Sequence, residues 1–237
     1  MTPPLHIGIV GCSAEGAALC YRTLCAEAPA LLGRAHAHPE VSMHTPSLQA
    51  YVDCLDRGDR QGVAELMLAS AHKLAAIGAD LLICPDNTIH QAFDLVAPRS
   101  PRPWLHIAQE VARAAEARGF RRVGITGTHW LVRSDVYPEA MRAHGIEAVR
   151  PADDDRDELG RIIMDELVAG IVAPASVAAL QGIVERLAAR GCDAVVLGCT
   201  ELPLVLGDHN CVLPTLDSTR LLARAALARA VAGQRSA

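Results

Sequence analysis

Gly191-Cys192-Asp193-Ala194-Val195-Val196-Leu197-Gly198-Cys199-Thr200-Glu201 is a short apolar run that carries a thiol, a hydroxyl and a carboxylate at its carboxyl end. Gly78-Ala79-Asp80-Leu81-Leu82-Ile83-Cys84-Pro85-Asp86-Asn87-Thr88 overlays it without a gap, 113 residues earlier, and sets Asp86 opposite Cys199. Four consecutive apolar residues between punctuating residues, twice over, read as strands buried on both faces of a parallel sheet. Ligands of such sheets bind beyond the carboxyl ends of the strands. The repeat therefore predicts two half-sites, each presenting one side chain that can carry a proton.

Working outward, the chain alternates strand and helix in both halves. Ile7 to Gly11 reads as a buried strand, and Cys12-Ser13-Ala14-Glu15-Gly16 turns it into a helix around Ala17 to Leu24. Val41 to His44 reads as the next strand, followed by a loop at Thr45-Pro46-Ser47 and a helix from Gly62 to Ile77 that leads into the Asp86 strand. Pro103 to His106 reads as a strand and Ala108 to Arg118 as a helix stopped by Gly119. Arg122 to Thr128 then restarts the pattern, with Gly124 matching Gly8. Helices are expected around Pro138 to His144, Asp157 to Gly170 and Val177 to Arg190. After the Cys199 strand, Val212 to Asp217 echoes Pro103 to His106, and a helix over Thr219 to Ala232 follows. The class is α/β with parallel sheets. We expect a first domain of residues 1–98 plus 208–237 and a second of 99–207.

Bulk composition narrows the chemistry. The 237 residues carry a formal net charge of −5 and a pI near 6.0, which argues against a nucleic-acid or anionic-membrane partner, since either favours a basic face. Lys73 is the one lysine. It falls within a helical pattern, away from the strand-end loops, so a pyridoxal phosphate Schiff base has poor support. The glycines after the first strand do not form GxGxxG, which argues against a dinucleotide. No run of about 18 apolar residues is present, and the first residues lack the order of a signal peptide. A cytoplasmic protein is the expectation. Eight cysteines without CxxC spacing are expected to stay thiols, mostly in the core, with no metal site. Asp153-Asp154-Asp155 reads as solvated helix-start charge.

Each candidate residue also has a structural reading. Cys199 is a core cysteine or a reactive one, and its repeat partner favours the second. Asp86 after a proline is an Asx-turn or helix cap, or it is a base. Asn87 and Thr88 are turn residues, or an amide and a hydroxyl placed to hold a carboxylate. His90 and His129 have no metal-ligand constellation around them. A hydrolase nucleophile elbow finds only Ser13, in Gly11-Cys12-Ser13, which lacks the required pattern.

Pro85-Asp86-Asn87-Thr88-Ile89-His90 and Gly198-Cys199-Thr200-Glu201 resemble the P-C-N-T-x-H and G-C-T-E motifs of the aspartate/glutamate/hydantoin racemase superfamily. The likeness also takes in the opening strand, Gly127-Thr128 with Tyr137 downstream, and Pro214 to Thr219. The resemblance implies two Rossmann-like domains related by a pseudo-twofold, an active site in the cleft between them, and proton transfer at an α-carbon without a cofactor. Carried over by position, Cys199 is one base. Asn87, Thr88 and Thr200, with Ser13, Thr128 and Glu201, become substrate-binding residues. The family's other cysteine is replaced by Asp86, and the G-G-M-G-P opening of many aspartate racemases is altered to Gly11-Cys12-Ser13-Ala14-Glu15.

That replacement has a size. Cysteine and aspartate ionise near 8.5 and 3.9, a gap of about 4.6 units or roughly 6 kcal/mol, while burial raises a carboxyl by up to about 3–5 units. An amino-acid racemase or epimerase using Asp86 and Cys199 is the leading expectation, on a small-molecule amino acid or related carboxylate, with a homodimer as its assembly. A cofactor-free decarboxylase or isomerase using one thiol, and a non-catalytic small-molecule binder, are the alternatives. The strand-end loops contain no lysine, and Trp130 offers apolar area, so the expected substrate lacks a distal carboxylate. Arg133 is the nearby cation that would reverse this.

Overall fold

Gly8 and Gly124 show how the repeat folds. A Cβ on Gly8 would stand 2.7 Å from Leu82 and 3.3 Å from the Leu74 Cβ, and one on Gly124 would stand 2.9 Å from Leu187. Leu74 and Leu187 are themselves 113 residues apart. Each glycine thus lets a helix lie close on its strand, by the same leucine, in both halves. The computed structural model describes residues 3–233.

Within these residues the strands are β1 (Ile7–Val10), β2 (Val41–His44), β3 (Leu81–Ile83), β4 (Trp104–Leu105), β5 (Arg122–Thr126), β6 (Glu147–Val149), β7 (Ala194–Leu197) and β8 (Thr215–Asp217). They form two four-stranded sheets, β2-β1-β3-β4 and β6-β5-β7-β8, parallel throughout. The registers agree as well as the order. Ile7 lies opposite Leu81 in the first sheet and Val123 opposite Ala194 in the second. Entry into the matched strands is also shared. His6 N–H donates to Asp80 Oδ2 at 2.9 Å and Arg122 N–H to Asp193 Oδ1 at 3.2 Å. Asp80 and Asp193 N–H return bonds to the same partners' carbonyls at 2.8 Å each.

The helices are α1 (Ala14–Leu32), α2 (Leu48–Asp56), α3 (Arg60–Ala76), α4 (Phe93–Val96), α5 (Ile107–Ala117), α6 (His129–Arg133), α7 (Val136–Arg142), α8 (Asp153–Arg161), α9 (Pro174–Ala189) and α10 (Ser218–Ala232). The alternating α/β reading holds. Four elements were not expected: the short helices α4 and α6, helix α2, which follows the loop at Thr45-Pro46-Ser47, and the edge strand β6, which has a single buried residue, Val149, and so carries no apolar run.

The chain divides into a unit of residues 1–107 and 219–237 and a unit of residues 108–218. The boundaries therefore lie at 107/108 and 218/219 rather than at 98/99 and 207/208. The reason is strand pairing: Trp104–Leu105 hydrogen-bonds to β3 and Thr215–Asp217 to β7, so each last strand stays with its own sheet. The first unit buries Ile7, Ile9, Leu81 and Ile83 against Leu222, Ala226 and Leu227 of α10. On the other face of that sheet, Val10 and Leu82 pack with Met67, Leu74 and Tyr51. The second unit packs Val195 and Leu197 with Ile162, Ile163, Ile183 and Leu187.

Candidate active site

At the end of β7, Gly198 N–H donates to the Thr126 carbonyl at 3.0 Å, and the chain passes the end of β5 with no room for a side chain. A Cβ on Gly198 would collide with the Thr126 carbonyl oxygen and stand 2.7 Å from Leu131, while one on Gly127 would stand 2.9 Å from the Gly198 carbonyl oxygen. This close approach brings the loop that carries Thr128 to the residues after β7. Thr128 caps α6 by accepting from Leu131 N–H at 3.3 Å.

Cys199 follows, 9% exposed. Its thiol donates to Glu201 Oε2 at 2.8 Å, and the Thr200 hydroxyl donates to the same oxygen at 2.7 Å. Thr200 and Glu201 are buried. A buried carboxylate that receives two hydrogen bonds is a satisfied one, and bonds to a charged acceptor are the stronger kind. The arrangement gives the thiol a base in contact. The sequence places Glu201 among substrate-binding residues, and in the structure it also accepts from the Cys199 thiol, a contact that the Cys-Thr-Glu spacing could have signalled. Thr200 donates its hydroxyl proton to Glu201, so that hydroxyl serves the carboxylate.

The first unit presents its groups at the end of β3. Asp86 is partly exposed, and its Oδ1 accepts from Ile89 N–H at 3.1 Å. One carboxylate oxygen is thus a cap for the turn Thr88–Ala92. His90 fixes the loop from below. Its Nδ1 bonds the Asp86 carbonyl at 2.6 Å, and its Nε2 accepts from Ile107 N–H at 3.4 Å. The carbonyl can only accept, so the proton is on Nδ1. Asn87 and Thr88 lie buried on the same turn. Ser13 caps α1, accepting from Gly16 N–H at 3.2 Å, which makes it the counterpart of Thr128 after the opening strand of its own half. Outside these loops, Arg133 stands 3.9 Å from Asp157 and is well exposed, and His129 and Trp130 pack ring to ring with centroids 4.0 Å apart.

Two neutral imidazoles lie under the Asp86 loop. His90 and His106 meet edge to face with centroids 4.6 Å apart, and Phe93 stands against both. Burial, with His106 beside it, holds His90 well below the usual histidine range. Burial brings His106 down to about 4. Both rings stay neutral in the folded chain but are protonated in the unfolded chain below about 6.5. Stability is therefore complete above that value and falls as the pH drops toward 4. Thermal unfolding across this range is expected to show the loss, and His106→Asn to make it shallower. An unchanged slope in the variant would contradict the assignment.

None of the eight cysteines is in a disulfide. Among the described residues no group of three His, Cys, Asp or Glu side chains is placed to hold a metal ion, and no helix is long and apolar enough to cross a membrane.

A parallel α/β chain with a carboxyl and a thiol at matched strand ends has its candidate site in the loops beyond those strands. The comparisons with known proteins give the family. The Asp/Glu/hydantoin racemase model matches residues 7–226, and the chain belongs to that family. Over 179 residues it is 24% identical to the broad-specificity amino-acid racemase RacX of Bacillus subtilis, a match that covers 74% of this chain and 76% of that one. Among solved structures, a proposed Asp/Glu racemase of Yersinia pestis is 29% identical with a TM-score of 0.87, covering 96% of this chain and 99% of that one. An aspartate racemase homologue of Pyrococcus horikoshii is 27% identical with a TM-score of 0.80, covering 98% of this chain and all of that one.

Proposed function

We propose that the protein is a cofactor-independent amino-acid racemase or epimerase in which Cys199 and Asp86 exchange protons with opposite faces of one α-carbon. The observation that carries this reading is the equivalence of the two strand ends. Asp86 follows β3 and Cys199 follows β7, strands that hold the same place, register and entry bonds in their two sheets. Opposite-face chemistry requires both side chains to reach a single α-carbon.

Glu201 takes the thiol proton along the existing 2.8 Å bond, and the resulting thiolate removes the α-proton from one enantiomer. Asp86, protonated, then delivers a proton to the other face; the reverse direction exchanges the two roles. Asn87 and Thr88 hold the substrate carboxylate, with Ser13 and Thr128 contributing from the opening loops of the two halves. The absence of lysine from the strand-end loops supports neutral amino acids over those with a distal carboxylate. A cytoplasmic homodimer remains the proposed setting.

A second reading has one observation in its favour. Asp86 spends Oδ1 on capping its own turn, and an Asp confined to that job leaves Cys199 as a one-sided acid for a decarboxylase or isomerase. Incubating each enantiomer of a panel of amino acids in deuterium oxide decides between the readings: α-deuterium in both enantiomers supports the racemase, and carbon dioxide release or no exchange removes it. Turnover is expected to survive dialysis and a metal chelator unchanged. Loss that added metal or pyridoxal phosphate restores would contradict a cofactor-free reaction.

A further inference from the structure

The strand that carries Cys199 is held at its end by two side-chain hydroxyls. Thr126, the last residue of β5, donates its hydroxyl to the Val196 carbonyl at 2.5 Å. Ser218, the first residue after β8, donates to the Leu197 carbonyl at 2.9 Å. Both residues are buried, Ser218 fully. The peptide between Leu197 and Gly198 is thereby bonded at both ends, because its N–H donates to the Thr126 carbonyl at 3.0 Å. Cys199 is the next residue.

The first sheet does without these hydroxyls. Counted from the matched glycines Gly124 and Gly8, the place of Thr126 is taken there by Val10. Counted from the register pairs Val195–Thr215 and Leu82–Trp104, the place of Ser218 is taken by Ile107. Val10 and Ile107 are fully buried and pack in the apolar clusters of that unit. The same strand order and register are thus built with Val and Ile, so the fold does not require a hydroxyl at either place. A hydroxyl in the interior must be given a partner, whereas a methyl group needs none. What differs between the halves is the group at the strand end. After β3 it is a carboxylate that caps its own turn, and after β7 it is a thiol bonded to Glu201.

We propose that Thr126 and Ser218 are positioning residues for Cys199, a pair of hydroxyls that fixes the Val196 and Leu197 carbonyls and so holds the thiol on Glu201 and at the α-carbon of the substrate. The proposal rests on the reading of Cys199 as a base. Gly198 has no side chain to anchor it, so the backbone leading to the thiol is steered by the bonds made on the residues before it. Loss of one bond lets the strand end shift, and an offset of about 1 Å between reacting groups costs about 100-fold in rate. Both hydroxyls act through Cys199.

The test uses Thr126→Val, Thr126→Ser and Ser218→Ala in the full chain, with two readouts. Amide hydrogen exchange over residues 194–201 follows the strand end without needing turnover. Uptake of α-deuterium from deuterium oxide by the D and L forms of alanine and of aspartate gives kcat and KM for each enantiomer, and Cys199→Ala identifies the enantiomer whose exchange depends on the thiol. In Thr126→Val and Ser218→Ala, amide exchange over 194–201 is expected to be faster and kcat for the thiol-dependent enantiomer lower by about tenfold or more. KM and exchange of the other enantiomer are expected to stay unchanged. Thr126→Ser keeps the hydroxyl and should recover both readouts. Equal losses for both enantiomers, or a Thr126→Ser variant no better than Thr126→Val, show a structural role alone and overturn the proposal, as do unchanged amide exchange and kcat. If the unaltered protein exchanges no α-proton, the racemase reading fails and amide exchange decides the rest: faster exchange in the two hydroxyl-free variants keeps Thr126 and Ser218 as the anchors of the thiol, and unchanged exchange removes them.

Discussion

Cys199→Ala is expected to abolish interconversion of enantiomers in both directions, with turnover falling by about 10³-fold or more. The side chain is small and 9% exposed, so the substitution removes one sulfur from a buried position and the chain stays folded. Racemisation needs both faces, and loss of one base stops the net reaction in either direction. Proton exchange at the other face does not need the thiol, so one enantiomer should continue to take up deuterium. Polarimetry and α-deuterium measurements on the same sample separate these two quantities. Retained racemisation in Cys199→Ala would place the chemistry elsewhere.

Gly198→Ala is expected to cost about 3 kcal/mol of stability, the upper part of the range for forcing atoms into a packed site. The added methyl group meets the Thr126 carbonyl oxygen and Leu131 together. The carbonyl is fixed, because it accepts the Gly198 N–H that ties β7 to β5. The strand end that carries Cys199 must move to make room, so activity should fall along with stability. Denaturant unfolding is the measurement, and a lower midpoint with an unchanged slope is the expected result. A midpoint equal to that of the unaltered protein would show that the β5–β7 approach is looser than described.

Much of this architecture was legible in the sequence because both halves repeat the same structural solution. The 113-residue overlay that pairs Asp86 with Cys199 also pairs Leu74 with Leu187 and Asp80 with Asp193, and these residues make equivalent contacts in the two sheets. Strand β6 escaped notice because Glu147-Ala148-Val149 lies at a sheet edge and buries only its last residue. Helix α2 was hidden behind Thr45-Pro46-Ser47, whose loop composition continues into a helix start at Leu48. The domain boundaries shifted because two- and three-residue strands can be assigned to a sheet only by their hydrogen bonds. At the site, the bond from Cys199 to Glu201 was implicit in the motif's spacing. The row from Ser70 through His44 to Lys73 was not, since its members come from α3 and β2 and no local pattern joins them. Lys73, set aside in the sequence as a Schiff-base candidate, bonds His44 instead.

The central claim is that Asp86 and Cys199 act on opposite faces of one α-carbon, and Asp86→Asn tests it most directly. The measurement is the rate of α-deuterium uptake by each enantiomer separately, in Asp86→Asn and in Cys199→Ala. The account predicts complementary losses, with Asp86→Asn silencing one enantiomer and Cys199→Ala the other. If Asp86→Asn leaves uptake by both enantiomers intact, Asp86 is only the cap of its own turn, and the two-base account is wrong.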